Sequence, residues 1–138
     1  MTDTELASSI VESAQDAILY SDRDGVIRLW NDAASQMFGF SRDEALGASL
    51  DLIIPERFRE RHWTGYRRVM ETGVTSYADR LLAVPAAHSN REDWISIEFT
   101  VNLIRSGDEV AGCAAIIRDV TERRREEREL KERAARAE

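Results

Sequence analysis

The segment "WISIEFTVNLI" at residues 94–104 alternates without a break. Ile95, Ile97, Phe99, Val101 and Leu103 fall on one side, and Trp94, Ser96, Glu98, Thr100 and Asn102 on the other. A period of two over this length commits the segment to a long β-strand with one apolar face, in an antiparallel sheet. That face has to be covered, and the rest of the chain has to supply the cover.

The turns around it assign its neighbours. "RSGDE" follows as a turn, and "VAGCAAIIRDV" reads as a final strand rich in small residues. Before it, "SNRED" is a turn, and "SYADRLLAVPAAH" reads as a strand ending near Pro85. Near the N-terminus, Ala17–Ser21 and Val26–Trp30 flank "DRDG", an Asp-Gly hairpin signal. Helices fill the interval between the two sets of strands. Asn31 is a strong N-cap for "AASQMFGF", which Gly39 ends. Ser41 with Glu44 forms a capping box, and Gly47 stops that turn. "SLDLIIP" is a short turn closed by Pro55. The spacing of Phe58, His62 or Trp63, Tyr66, Val69 and Met70 predicts a helix from Glu56 to Thr72, closed by Gly73. The order specifies an α+β domain with one sheet face covered.

Two helices flank this domain. Residues 1–15 hold Thr2 three places before Glu5, then Leu6, Ile10, Val11 and Ala14 at helical spacing. Such a narrow stripe must cover a sheet or pair with another helix. Residues 121–138 form a charged helix, with expected ion pairs Arg123–Glu127 and Arg125–Glu129. Val120, Leu130, Ala134 and Ala137 fit a weak coiled-coil seam, the start of a longer helix or a short dimer clasp. The domain proper is then 16–120.

With 138 residues, 43% of them hydrophobic, the chain is long enough for one core that buries roughly 70% of its unfolded surface. Its formal charge is −7. Residues 119–138 carry seven acids and seven bases, so the deficit falls on residues 1–118. A net acidic body argues against nucleic-acid binding, which needs a basic face. No apolar run is long enough to span a bilayer, and the acidic start is no secretory signal. A lone cysteine, Cys113, suits a reducing cytosol, so the expected location is cytoplasmic. No nucleophile–base pair, phosphate-cradling glycine loop or Cys/His cluster is visible, so an enzyme is not expected.

In that order the motifs resemble the PAS family. The resemblance rests on Asp22 to Gly25, Trp30 with Asn31, Ala33 with Ala34, Phe38 to Phe40, and Ser41 with Glu44 and Gly47. Asp119, Val120 and Thr121 resemble its Asp-Ile-Thr exit. The resemblance spans roughly residues 8–123. It implies a PAS fold: a five-stranded antiparallel sheet of order 2-1-5-4-3, with helices across one face. It also implies a sensory and signal-transduction role, with the signal leaving through Asp119–Thr121 into the C-terminal helix. A homodimer through the N-terminal helix, the outer sheet face and the C-terminal helix is implied as well.

The input has several readings. Flavin photochemistry of the LOV type needs a cysteine on the central helices, and Cys113 lies on the last strand. "RERHWTGYRRV" at residues 59–69 resembles the haem-binding helix of rhizobial oxygen-sensor kinases, through Pro55, Arg59, Arg61, His62, Tyr66 and Arg68. That resemblance implies haem b with His62 as axial iron ligand. Arg80 would lie near the bound gas, Ile95 and Ile97 would line the open site, and Ala114 and Ala115 would leave room for the macrocycle. A cofactor-free interaction domain, and a domain that binds a flavin without the cysteine, stay open beside it. His88 is expected in a solvated turn, and Met70 in the core rather than as a sixth ligand. Trp30 and Trp94 are expected on the sheet, as candidates for a dimer contact.

Overall fold

Among the described residues, eleven elements follow one another: α1 (Asp3–Ser13), β1 (Ala17–Asp22), β2 (Ile27–Trp30), α2 (Asp32–Phe38), α3 (Arg42–Ala45), a 3-10 turn (Leu50–Leu52), α4 (Glu56–Thr72), β3 (Leu82–Ala86), β4 (Ile95–Ser106), β5 (Glu109–Asp119) and α5 (Thr121–Ala137). They come from a computed structural model that describes residues 1–75, 80–90 and 92–137. The start of the expected strand at 76–79, and Arg91 in the expected "SNRED" turn, lie outside the described residues. The strands pair antiparallel in the order β2-β1-β5-β4-β3. This is the order that the resemblance implied.

Register decides which side chains meet the helices. Ala17, Leu19 and Ser21 in β1 sit opposite Ile117, Ala115 and Cys113 in β5. Those in turn face Phe99, Val101 and Leu103 in β4. Side chains two apart share a face, so these positions form one inner surface. Of the two alanines expected to leave room for a cofactor, Ala115 is on this face. Ala114 pairs with Tyr20 and Asn102 and belongs to the outer face.

The core lies under α2, α3 and the 3-10 turn, at the β1–β2 end and at the start of β4. Trp30, Phe38, Ile27 and Ile95 are its largest fully buried side chains. Trp30 packs on Phe38 with ring centroids 5.5 Å apart, and its indole N–H donates to Ser35 Oγ and the Phe40 carbonyl. Burying each such side chain contributes about 1.5–3 kcal/mol. Trp30 is therefore a core residue and takes no part in an outer-face contact. Trp94 is 44% exposed and packs on Phe58.

Local signals account for the helix ends. Both expected capping boxes, Thr2–Glu5 and Ser41–Glu44, are present. Gly39 and Gly73 end α2 and α4 in the left-handed conformation, where a side chain would clash with its own backbone. The stripe of α1 meets nothing wide: the helix has no buried residue, and Ile10 is 60% exposed. On α5 the Arg123–Glu127 pair forms at 3.8 Å. Arg125 turns instead to Glu122, and Glu129 to Arg133. Among the described residues no helix is long and apolar enough to cross a membrane.

Candidate functional site

Helix α4 carries the candidate site. Phe58, His62 and Tyr66 are spaced by four, so they form one line along it. Its start has no side-chain cap. Arg59 ties it down instead, donating from Nε to the Ile54 carbonyl at 3.0 Å and from a terminal nitrogen to the Asp51 carbonyl at 3.2 Å. Phe58 meets the Trp94 ring at 5.4 Å. The Trp63 indole N–H donates to Asp51 Oδ1 at 2.7 Å, and its ring covers Gly25 so closely that a Cβ there would stand 2.1 Å from it. The Tyr66 hydroxyl donates to the Asp22 carbonyl at 2.5 Å and lies 2.9 Å from Ser21 Oγ. Indole and phenol thus clamp α4 onto the β1–β2 turn.

His62 lies between these anchors, 4.7 Å from the Trp63 ring and 5.6 Å from that of Tyr66. Its Nδ1 is buried and has no hydrogen-bond partner. Burial holds its pKa below the ordinary histidine value, opposed in part by the Asp51 carboxylate. A neutral imidazole with a free nitrogen is the form that binds a metal. Burial also pushes the Tyr66 phenol up to about 12 and the Cys113 thiol up to about 11, which keeps both protonated and Cys113 inert.

The other expected site residues are spread out. Arg80 is exposed, just before β3. Ile95 and Ile97 are buried in the core cluster with Ala86 and Ile53. A cleft of about 370 Å³ beside α4 is lined by Arg23, Asp24, Trp63, Tyr66 and Arg67, and a smaller one of about 160 Å³ by residues around Arg23, Met70 and Arg105. Of the expected site residues only Tyr66 lines either cleft. Met70 is buried, as expected of a core residue. His88 is half-buried rather than solvated: its ring covers Gly39, and its Nδ1 accepts from the Asn90 N–H at 3.0 Å.

The expected signal exit is tightly built. The Val120 N–H donates to the Ser96 carbonyl at 2.8 Å, and the Ser96 N–H donates to Thr121 Oγ1 at 2.9 Å. The Thr121 hydroxyl and N–H both donate to Asp119 Oδ1, at 2.6 and 2.9 Å. Ser96 was not singled out by sequence reasoning. Its place on the polar side of the alternating strand, beside Ile95 and Ile97, was the available signal.

The comparisons agree with this geometry. A family model described as PAS fold matches residues 11–125. The chain is 39% identical over 54 residues to the sensor protein FixL of Bradyrhizobium diazoefficiens, a match that covers 39% of this chain and 11% of that protein. It is 26% identical over 126 residues to the cell-division control histidine kinase PdhS of Brucella ovis, covering 91% of this chain and 12% of the kinase. Among solved structures, the PAS domain of a Colwellia psychrerythraea protein superposes with a TM-score of 0.75 at 19% identity, covering 88% of this chain and 99% of that domain. The chain spans 11% to 16% of the length of the curated relatives it matches. Sheet order, capped helices, exit motif and family match agree, and the chain belongs to the PAS family.

Proposed function

We propose that this PAS module is the sensory input of a larger signalling protein, that haem b is its cofactor, and that His62 is the axial iron ligand. The observation that carries this reading is the buried, unpartnered Nδ1 of a neutral His62 on the inward line of α4. Haem held there would supply an iron with an open coordination position for a diatomic gas. The donor fits that role. The seat is closed: Ile95 and Ile97 are packed in the core, so the macrocycle enters only if α4 moves off the sheet. Tyr66 and Trp63 hold α4 down, and the exposed Arg80, just before β3, is the proposed partner of the bound gas. Asp119, Val120 and Thr121 carry the change to α5. The exposed stripe of Leu6 and Ile10 on α1, with Ile116 on the outer sheet face, makes a second copy of the chain the proposed partner.

A second reading is a cofactor-free interaction domain. It is favoured by the same packing of Ile95 and Ile97, since a pocket filled by its own side chains needs no cofactor. The purified protein titrated with hemin separates the two. A stoichiometric Soret band that is lost in a folded His62→Ala variant supports haem sensing. Normal folding without stoichiometric uptake overturns it and leaves the cofactor-free domain. Light scattering after size exclusion tests the dimer, and a monomer at high concentration rejects it.

A further inference from the structure

A row of alternating charges crosses the outer sheet face from the exit of α1 to the start of α5. Ala17 pairs with Ile117 and Glu98 with Arg118, so Asp16, Arg118 and Glu98 stand side by side on three adjacent chain segments. Asp16 grips Arg118 with both carboxylate oxygens, at 3.3 and 3.2 Å. Its own carbonyl is pinned by the side chain of Asn31. On the far side, Glu98 bonds Arg123 in the first turn of α5, and Arg123 lies 3.8 Å from Glu127. The Glu98 side chain is only 14% exposed, so one carboxylate sits covered between two guanidinium groups. Asp16, and more weakly Glu98, stabilise the charge on Arg118.

We infer that Asp16, Arg118, Glu98 and Arg123 form a charge exchange that couples the exit of α1 to the first turn of α5. Asp16 keeps Arg118 occupied, which leaves Glu98 to Arg123. If the α1 exit shifts and takes Asp16 with it, Arg118 swings to Glu98 and its charge repels Arg123. The first turn of α5 then loses its hold. Beyond its junction α5 has no buried residue, so the first turn is then held by the backbone and side-chain bonds of Ser96, Asp119 and Thr121. The coupling is independent of any cofactor, and its failure leaves the haem reading untouched.

The alternation of sign supplies the test. Hydrogen–deuterium exchange is followed on the full chain, in peptides covering residues 119–128, with a β4 peptide as reference. Asp16→Asn and Glu98→Gln are each expected to speed exchange at the start of α5 by roughly two- to five-fold at low salt, the scale of a surface ion pair. In an Arg118→Gln background, Asp16→Asn is expected to have no effect, because the competing cation is gone. The inference is overturned if Asp16→Asn speeds exchange equally in both backgrounds or in neither, or if Glu98→Gln leaves α5 unchanged.

Discussion

The side-chain amide of Asn31 donates to the Asp16 carbonyl at 3.1 Å and, with its second N–H, to the Val11 carbonyl at 2.8 Å. Its oxygen accepts from the N–H groups of Ile18 at 2.9 Å and Ala34 at 3.0 Å. One fully buried side chain thus caps α2, anchors β1 and holds the end of α1. Asn31→Ala leaves four backbone groups, one buried and three part-buried, without that partner. Expected destabilisation is about 2–4 kcal/mol, read from urea unfolding. A loss below about 1 kcal/mol means that water replaces the amide.

Tyr66 clamps α4 to the β1–β2 turn through its hydroxyl. Tyr66→Phe removes the bonds to Asp22 and Ser21 and is expected to cost about 1–1.5 kcal/mol. The folded phenol titrates at about 12, above the unfolded value of about 10. Its contribution is therefore complete below pH 10 and is lost as pH rises through 12. Phenolate absorbance should lose its highest step in Tyr66→Phe, and an unchanged curve would contradict the buried clamp.

His62 has the opposite dependence. Its folded pKa lies below the unfolded value of about 6.5, because burial disfavours the cation. Stability from a neutral His62 is present above pH 6.5 and lost as pH falls through the folded pKa. Urea midpoints compared between pH 7.5 and pH 5 should fall less in His62→Gln than in the parent. Parallel curves would show that His62 ionises freely in the folded protein.

Gly25 combines a left-handed conformation, φ 77°, with the Trp63 ring lying on it. Gly25→Ala is expected to cost about 2 kcal/mol or more and to shift the tryptophan emission as the ring is displaced. Gly47→Ala is the control. It also has a positive φ, 87°, but nothing lies within 4 Å of its added Cβ. Equal losses at both sites would mean that backbone strain, not the ring contact, sets the cost.

Much of the fold was legible in particular residues. Thr2 with Glu5 and Ser41 with Glu44 close capping boxes because the needed groups lie three residues apart. The alternation at 94–104 became β4 because period two leaves one apolar face. The site was less legible. Spacing put His62 and Tyr66 on one line of α4, but not the reach of Tyr66 to Asp22 and Ser21, more than forty residues away. Ile95 and Ile97, expected as pocket walls, are buried in the core cluster beside Ala86, a placement that depends on strand register.

By itself the sequence determined the elements, their caps and turns, and the α+β class, all set by contacts within a few residues or by one period. Tertiary structure alone decided that Leu6 and Ile10 of the α1 stripe stay exposed and that His62 Nδ1 is buried without a partner. It also decided that Asp16, Arg118 and Glu98 stand in one row. These depend on strand register and on the seat of α4, where side chains far apart in the chain compete for the same partners.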